Sequence, residues 1–291
     1  MNDKVSIVVP YFNNENHIQE TLQSIYEQTH KNIEVIIVDD GSENESASFL
    51  DSLKQDFNNL TVLHKKNEGQ SLARNDGAKL ATGHYLLFLD ADDIIHNTFL
   101  QKCLHVLNTD KSVGLVYTKA EYFGSKNGEW ILPEYSLKRM LFENSIPIFA
   151  LMYRSDFNKT GGFDKELSFF EDWDLWLALI KNGIGVHRID EILFYYRQRQ
   201  EVNSLSDKIK SNREEISHNI YCIYKKHYQF YIQNGILFLD FFRASAESFR
   251  YKKKYYNIWY KKLFYNLKSI FSKKKEIEIS EFEKIMIDAQ Y

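Results

Sequence analysis

Apolar and polar positions follow two alternating rhythms through the first half of the chain. Val5 to Val9 is a short, mostly apolar run that Pro10 ends, and Ile33 to Val38 ("IEVIIV") is a second. Runs without a regular polar face suit strands covered on both sides. Between and after them the spacing becomes helical. Glu15 to Gln28 puts Ile18, Leu22 and Ile25 on one face, and Ser46 to Phe57 does the same with Phe49, Leu50, Leu53 and Phe57. Leu60 to Leu63 predicts a short strand, Gly69 to Leu80 a helix, and Tyr85 to Leu89 a strand. Such alternation predicts an α/β fold: a Rossmann-like, mostly parallel sheet with helices on both faces. Ligands of such sheets sit beyond the carboxyl ends of the strands. Phe12, Asp39, Asp40 and the acidic group starting at Asp90 all fall at such ends.

The second half is less regular. Val113 to Tyr117 and Ile148 to Tyr153 predict strands, and Gly161-Gly162 a turn. Asp172 to Lys181 predicts a helix closed by Asn182-Gly183, and "VHRIDEILFYYRQR" a further strand. Beyond about residue 207 the pattern is helical and aromatic. The expected organisation is a main α/β domain over 1–206, made of two halves over about 1–117 and about 118–206. A helical C-terminal extension over 207–291 follows.

The chain has 291 residues, 44% of them hydrophobic and 26% charged, which suits a globular core. A formal net charge of -3 selects no partner. Cys103 and Cys222 lie far apart, so neither a disulfide framework nor a zinc knuckle is expected. The N-terminus lacks the apolar region of a secretory signal, and no apolar window is long enough to predict a transmembrane helix.

Chemistry concentrates in four segments. In "VVPYFNNE", Phe12 either stacks on a flat ring or fills the core. In "IIVDDGS", two carboxylates end a buried strand; they accept bonds from a base or ribose, or Asp40 or Ser42 caps the next helix. In "NEGQSLARNDGAKLATGHYLLFLDADD", Arg74 precedes a run into Asp90, Asp92 and Asp93. Arginine near a diphosphate makes charge-assisted bonds, and surface ion pairing is the alternative. Three close carboxylates repel one another unless a cation holds them, and a divalent metal completed by substrate phosphates is the usual answer. The alternative is a solvated acidic turn. In "FFEDWDLWLAL", Glu171, Asp172 and Asp174 sit among aromatics. They either complement the helix dipole or supply a general base of raised pKa.

Taken in order, "VSIVVPYFNNE", "SIYEQTHKNIEVIIVDDGS", "NEGQSLARNDGAKLATGHYLLFLDADD", "TGGFD" and "FFEDWDLWLAL" resemble a family 2 glycosyltransferase with the GT-A fold. The resemblance covers roughly Val5 to Arg199. It implies an inverting enzyme that uses a nucleotide-sugar donor, most simply UDP-linked, with Mn2+ or Mg2+. Phe12 matches the base-stacking aromatic, Asp40 the acid on the base edge and Arg74 a nucleotide contact. Pro10, Glu15 and Ala91 match further donor-site positions. Asp90 and Asp92 form the DxD motif, Asp90 towards the ribose and Asp92 on the metal, with Asp93 a further candidate. Asp172 matches the general base. Glu171, Arg197 and Arg199 are candidate diphosphate or acceptor contacts. The implied acceptor is a glycan or lipid-linked saccharide of a bacterial surface polymer, such as a capsule, O-antigen or teichoic-type chain.

Two features depart from the pattern. Where many relatives carry "YRxH", this chain reads "YYRQRQE", so Arg199 replaces the histidine and cannot ligate a metal. The processive signature QxxRW is absent, so single or few additions are expected. The segment 251–275 holds nine lysines, no acid and interleaved aromatics. It predicts either peripheral contact with an anionic membrane from the cytoplasmic side or packing on the catalytic domain. Nucleic acid is not expected. Two rivals stand beside the enzyme: a silent module that holds a nucleotide or glycan, and an aspartyl phosphotransferase. The second needs an acid at the end of the first strand, where Pro10-Tyr11 stands.

Overall fold

The computed structural model describes residues 3–199, 212–241 and 243. The first four elements of the sheet are β1 (Val5–Tyr11), β2 (Ile33–Asp40), β3 (Leu60–Lys65) and β4 (Tyr85–Phe88). They pair in parallel in the order β3-β2-β1-β4. The helices α1 (Glu15–Tyr26), α2 (Asn44–Leu53) and α3 (Gln70–Leu80) make the crossovers. Val5, Ile7, Val8 and Val9 are completely buried, as an interior strand covered on both faces requires. On α3, a Cβ added at Gly77 would stand 2.4 Å from Val8 Cγ1, so only glycine lets the helix lie this close to β1.

The remaining elements are β5 (Ile94–Ile95), α4 (Phe99–Thr109), β6 (Val113–Gly124), β7 (Gly128–Trp130), α5 (Leu137–Met140), β8 (Leu151–Tyr153), α6 (Arg154–Thr160), α7 (Glu171–Ile180), β9 (Gly185–Gln198), α8 (Arg213–Lys226) and α9 (Tyr228–Gln233). The sheet continues β4-β8-β6-β9-β5, with β7 on β6. Parallel pairing is unbroken in the first half and mixed with antiparallel pairing in the second. β8 runs antiparallel to both β4 and β6, β6 pairs with β9 in parallel, and β5 is antiparallel to β9.

The strand expected over Ile148 to Tyr153 is only β8. Upstream of it the backbone turns: Ala150 N donates to Ile148 O, and Ile146 O is taken by the Trp176 indole at 2.8 Å. In the other direction, β6 runs past Tyr117 to Gly124, because beyond Thr118 it pairs along β9 through an irregular register. The described chain forms two compact units, one of residues 1–135 with 144–223 and one of 136–143 with 224 onward. Within the first, Asn219 of α8 accepts from the amides of Ser168 and Phe169.

Register sets the site. Tyr11 lies opposite Asp39, Asp39 opposite His64, and Val8 opposite Phe88, two residues before Asp90. Phe12, Asp40 and Asp90 thus emerge together at the carboxyl end of the parallel strands. β5 then pairs Ile94 with Tyr195, which brings the end of β9 back to the acidic segment.

Candidate active site

Phe12 leaves β1 with 52% of its surface exposed, although it is a large apolar side chain. It is not a core aromatic. Pro10 and Glu15 flank it, both half-buried, Glu15 in the first turn of α1. Asp39 and Asp40 are both buried. Neither Asp40 nor Ser42 caps α2, which has no side-chain cap bond. Asp40 accepts the Glu68 and Gly69 amides at 2.9 and 2.8 Å and so fastens the loop before α3. Asp39 accepts from Ser42 N at 3.0 Å and pairs with His64 Nδ1 at 2.7 Å.

The acidic segment is not a solvated turn. Ala91 and Asp93 are buried, and Asp90 and Asp92 are half-buried. Asp93 Oδ1 accepts from the Arg197 amide at 3.0 Å, while its buried Oδ2 has no hydrogen-bond partner among the described residues. Burial, then the charges of Asp92 and Asp90, push the Asp93 carboxyl well above the usual range. Asp92 is raised by burial and by Asp90, against the pull of Arg199. Arg199 places Nε at 2.9 Å and Nη2 at 2.6 Å from Asp92 Oδ2. Arg197 is committed otherwise: Nε donates to Asp92 O at 2.8 Å, Nη2 pairs with Glu20, and the guanidinium lies over Phe123.

Among the described residues, no group of three or more histidine, cysteine, aspartate or glutamate side chains is arranged to hold a metal by itself. The unsatisfied Asp93 oxygen and the crowded, half-buried carboxylates still show a deficit of positive charge here. That donor set fits an ion that takes one or two protein oxygens and completes its shell on substrate phosphates.

Arg74 is not on the surface. It is 2% exposed, with Nη2 at 2.7 Å from Asp90 Oδ1 and Nη1 at 2.7 Å from Glu171 Oε1. Burial alone would lower its pKa, but the two carboxylates outweigh burial and raise it. Gln70 Nε2 also donates to Glu171 Oε1, at 2.7 Å.

Asp172 occupies the first turn of α7, where the helix dipole favours negative charge. Trp173 N donates to its Oδ1 and Asn144 Nδ2 to its Oδ2, both at 2.8 Å. Burial and the neighbouring Glu171 charge nevertheless push it up to about 7, with Arg74 pulling the other way. Asp174 points into the protein, 1% exposed. Phe170, which opens α7, adopts a left-handed backbone with φ of 63° and meets Trp173 edge-on at 6.0 Å.

Three contributors escaped the sequence reading. Asn75 clasps Phe163, donating to its O and accepting from its N, both at 2.8 Å. A Cβ at Gly162 would stand 2.4 Å from Asn75 Oδ1, so the glycine pair admits this clasp. Gln70 and Asn144 carry no pattern that separates them from ordinary polar residues. Asn75 had a signal, since it adjoins Arg74 and lies one helical turn after Ser71 on the buried side.

Residues 6–171 match the family model described as Glycosyl transferase family 2. Among curated proteins, the chain is similar to the Escherichia coli UDP-Glc:alpha-D-GlcNAc-diphosphoundecaprenol beta-1,3-glucosyltransferase WfaP. The two are 27% identical over 253 residues, which is 80% of this chain and 94% of WfaP. The chain spans only 35% to 75% of the length of four other relatives, glycosyltransferases from Rickettsia, Methanocaldococcus and Bacillus. S. aureus TarS 1-349 in complex with UDP-GlcNAc superposes with a TM-score of 0.58 at 22% identity, over 68% of this chain and 59% of that one. The mannosyltransferase PcManGT from Pyrobaculum calidifontis, in complex with GDP-Man and Mn2+, gives 0.55 at 19% identity, over 68% of this chain and 57% of its own. These likenesses show a shared GT-A fold.

Proposed function

The chain belongs to glycosyl transferase family 2, and we propose that it transfers a sugar, with inversion, from a UDP-linked donor to a glycan or lipid-linked saccharide. One observation carries this reading: Asp172 is a carboxylate pushed up to about 7 at a helix start, beside a network that reaches Asp90. A base of that pKa is half ionised near neutral pH and strong enough to take a hydroxyl proton.

In the reaction, the acceptor oxygen bonds to the anomeric carbon as the bond to the donor phosphate breaks on the opposite face. The acceptor proton passes to a free lone pair of Asp172. Asn144 and the Trp173 amide fix the carboxylate plane during that transfer. Exposed Phe12 stacks on the base, Asp40 holds the loop beside it, and Asp90 faces the ribose. Asp92, with Asp93 behind it, would hold Mn2+ or Mg2+, which when bound neutralises the departing diphosphate. Arg199 adds positive charge at the same oxygen of Asp92.

The names of the relatives support the substrate classes. WfaP is named for moving glucose from UDP-Glc to a diphosphoundecaprenol-linked GlcNAc, another relative is a minor teichoic acid biosynthesis protein, and TarS was solved with UDP-GlcNAc. We extend that to a bacterial surface polysaccharide built on the inner face of the plasma membrane. The catalytic domain is proposed to cover 1–206. The lysine-rich segment 251–275, the proposed membrane contact, lies outside the described residues. Among those residues no helix is long and apolar enough to cross a membrane.

The test is thermal stability with UDP, GDP, dTDP or CMP, each with Mn2+ or chelator. A ligand at 100 times its dissociation constant adds about 2.7 kcal/mol. UDP with Mn2+ is expected to give the largest shift, followed by turnover of a UDP-sugar onto a diphosphoundecaprenol-linked saccharide. Stabilisation without turnover on any acceptor favours the silent module, and no stabilisation by any nucleotide ends the donor-site reading.

A further inference from the structure

Arg74 and Glu171 are better placed to hold the site together than to touch a substrate. Both are buried, at 2% and 7% exposed. Each Arg74 Nη reaches a carboxylate at 2.7 Å, and Arg74 also lies 5.5 Å from the Phe163 ring centre. Glu171 Oε1 accepts from both Gln70 and Arg74. Three separate elements meet in this chain of bonds: α3 gives Gln70 and Arg74, the end of β4 gives Asp90, and α7 gives Glu171. A fork-shaped, permanently charged donor suits this task, because it fixes direction as well as distance.

We infer that the Asp90–Arg74–Glu171 bridge is a positioning device that sets the first turn of α7, and so Asp172, at a fixed station relative to the donor-facing carboxylate of Asp90. This rests on Asp172 being the base. A reacting pair tolerates little displacement, and an error of about 1 Å costs about 100-fold in rate. The groups that act on Asp172 are Glu171 beside it on α7, Arg74 from α3, Asn144 from the segment before β8, and the Trp173 amide. Removing the Glu171 charge therefore changes both where Asp172 stands and how readily it ionises.

The informative variant in the full chain is Glu171→Gln. It keeps shape and leaves Arg74 paired one-to-one with Asp90. Three readouts are compared with wild type: UDP affinity, the pH profile of kcat/KM, and hydrogen exchange over residues 169–176. The expected result is UDP affinity within about 3-fold, kcat lower by about 10- to 100-fold, and an acid limb moved to lower pH. Exchange is expected to rise in the first turn of α7 and stay unchanged in β1 and β2. Gln70→Ala, which keeps both charges, should reproduce the exchange change and a smaller loss of kcat, and it replaces Glu171→Gln if that variant does not fold. Unchanged exchange and an unmoved acid limb overturn the inference. A loss of UDP affinity as large as the loss of kcat also overturns it, because the pair would then be a donor contact. If wild type turns over no donor, the functional reading fails, and the exchange measurement still decides whether the bridge positions α7.

Discussion

The two ends of the parallel strands treat carboxylates in opposite ways. At the amino end, Glu34 of β2 accepts from Lys4, Ser6, the Thr82 amide and hydroxyl, and the Gly83 amide. Burial would raise its pKa, but these donors outweigh burial and pull it down to about 2. At the other end, Asp93 has an oxygen unpaired among the described residues, and Asp172 has two donors against burial and a like charge, and both are raised. The difference is the supply of donors together with the neighbouring like charges, since burial acts on all three. A saturated carboxylate stabilises the fold and has no capacity for a substrate. An undersupplied one costs stability and can take a proton or a cation.

The sharpest way to break this comparison is Asp172→Asn. Turnover should fall at least about 100-fold with UDP affinity retained, as rate and calorimetric titration would show. In wild type, kcat/KM should rise with pH through about 7, because the base must be ionised. The folded pKa lies above the unfolded value near 4, so ionising Asp172 costs stability. That cost is absent below about pH 4 and complete above about 7. The amide variant should therefore melt higher than wild type at pH 8, and a lower melting temperature would show that the carboxylate is not held at a cost.

Glu34→Gln is the converse and the next largest effect. A pKa lowered from 4.5 to about 2 corresponds to at most about 3 kcal/mol of stability. That contribution is present in full above about pH 4.5 and is lost as pH falls towards 2. Urea unfolding at pH 7 should show the loss, with UDP affinity unchanged. Equal stability would mean the donors at this end are interchangeable with water. The smallest effect on the fold is expected from Phe12→Ala. Removing one base-stacking ring costs about 1–3 kcal/mol of nucleotide affinity, while a surface substitution of this kind changes stability by about 0.5 kcal/mol or less.

What could be read from the sequence follows the same division. The first four strands and three helices were legible because each keeps a single period, and β1, β2 and β4 are buried along nearly their whole length. The later strands were not, because β6 passes from an apolar run to an alternating one at Thr118, and β8 is three residues long. α4 was overlooked although Phe99, Leu100, Cys103, Leu104 and Leu107 repeat at helical spacing. The acidic cluster stood out by its chemistry at a strand end, whereas Asp172 was singled out by the family resemblance and not by its setting alone. The inward turn of Arg74 could not be read, since its two partners lie 16 and 97 positions away in sequence. Only the closing of β4 and α7 on α3 brings them together.

Phe170 carries one more consequence. A phenylalanine in a left-handed conformation costs about 1–2 kcal/mol that glycine would not. Anyone breeding this enzyme for heat resistance would therefore find Phe170→Gly an inviting step. The gain would come at the turn that leads into Asp172, and it would remove the ring that leans on Trp173. Selection for durability and selection for speed would disagree at this residue, and a library screened for one alone would drift away from the other.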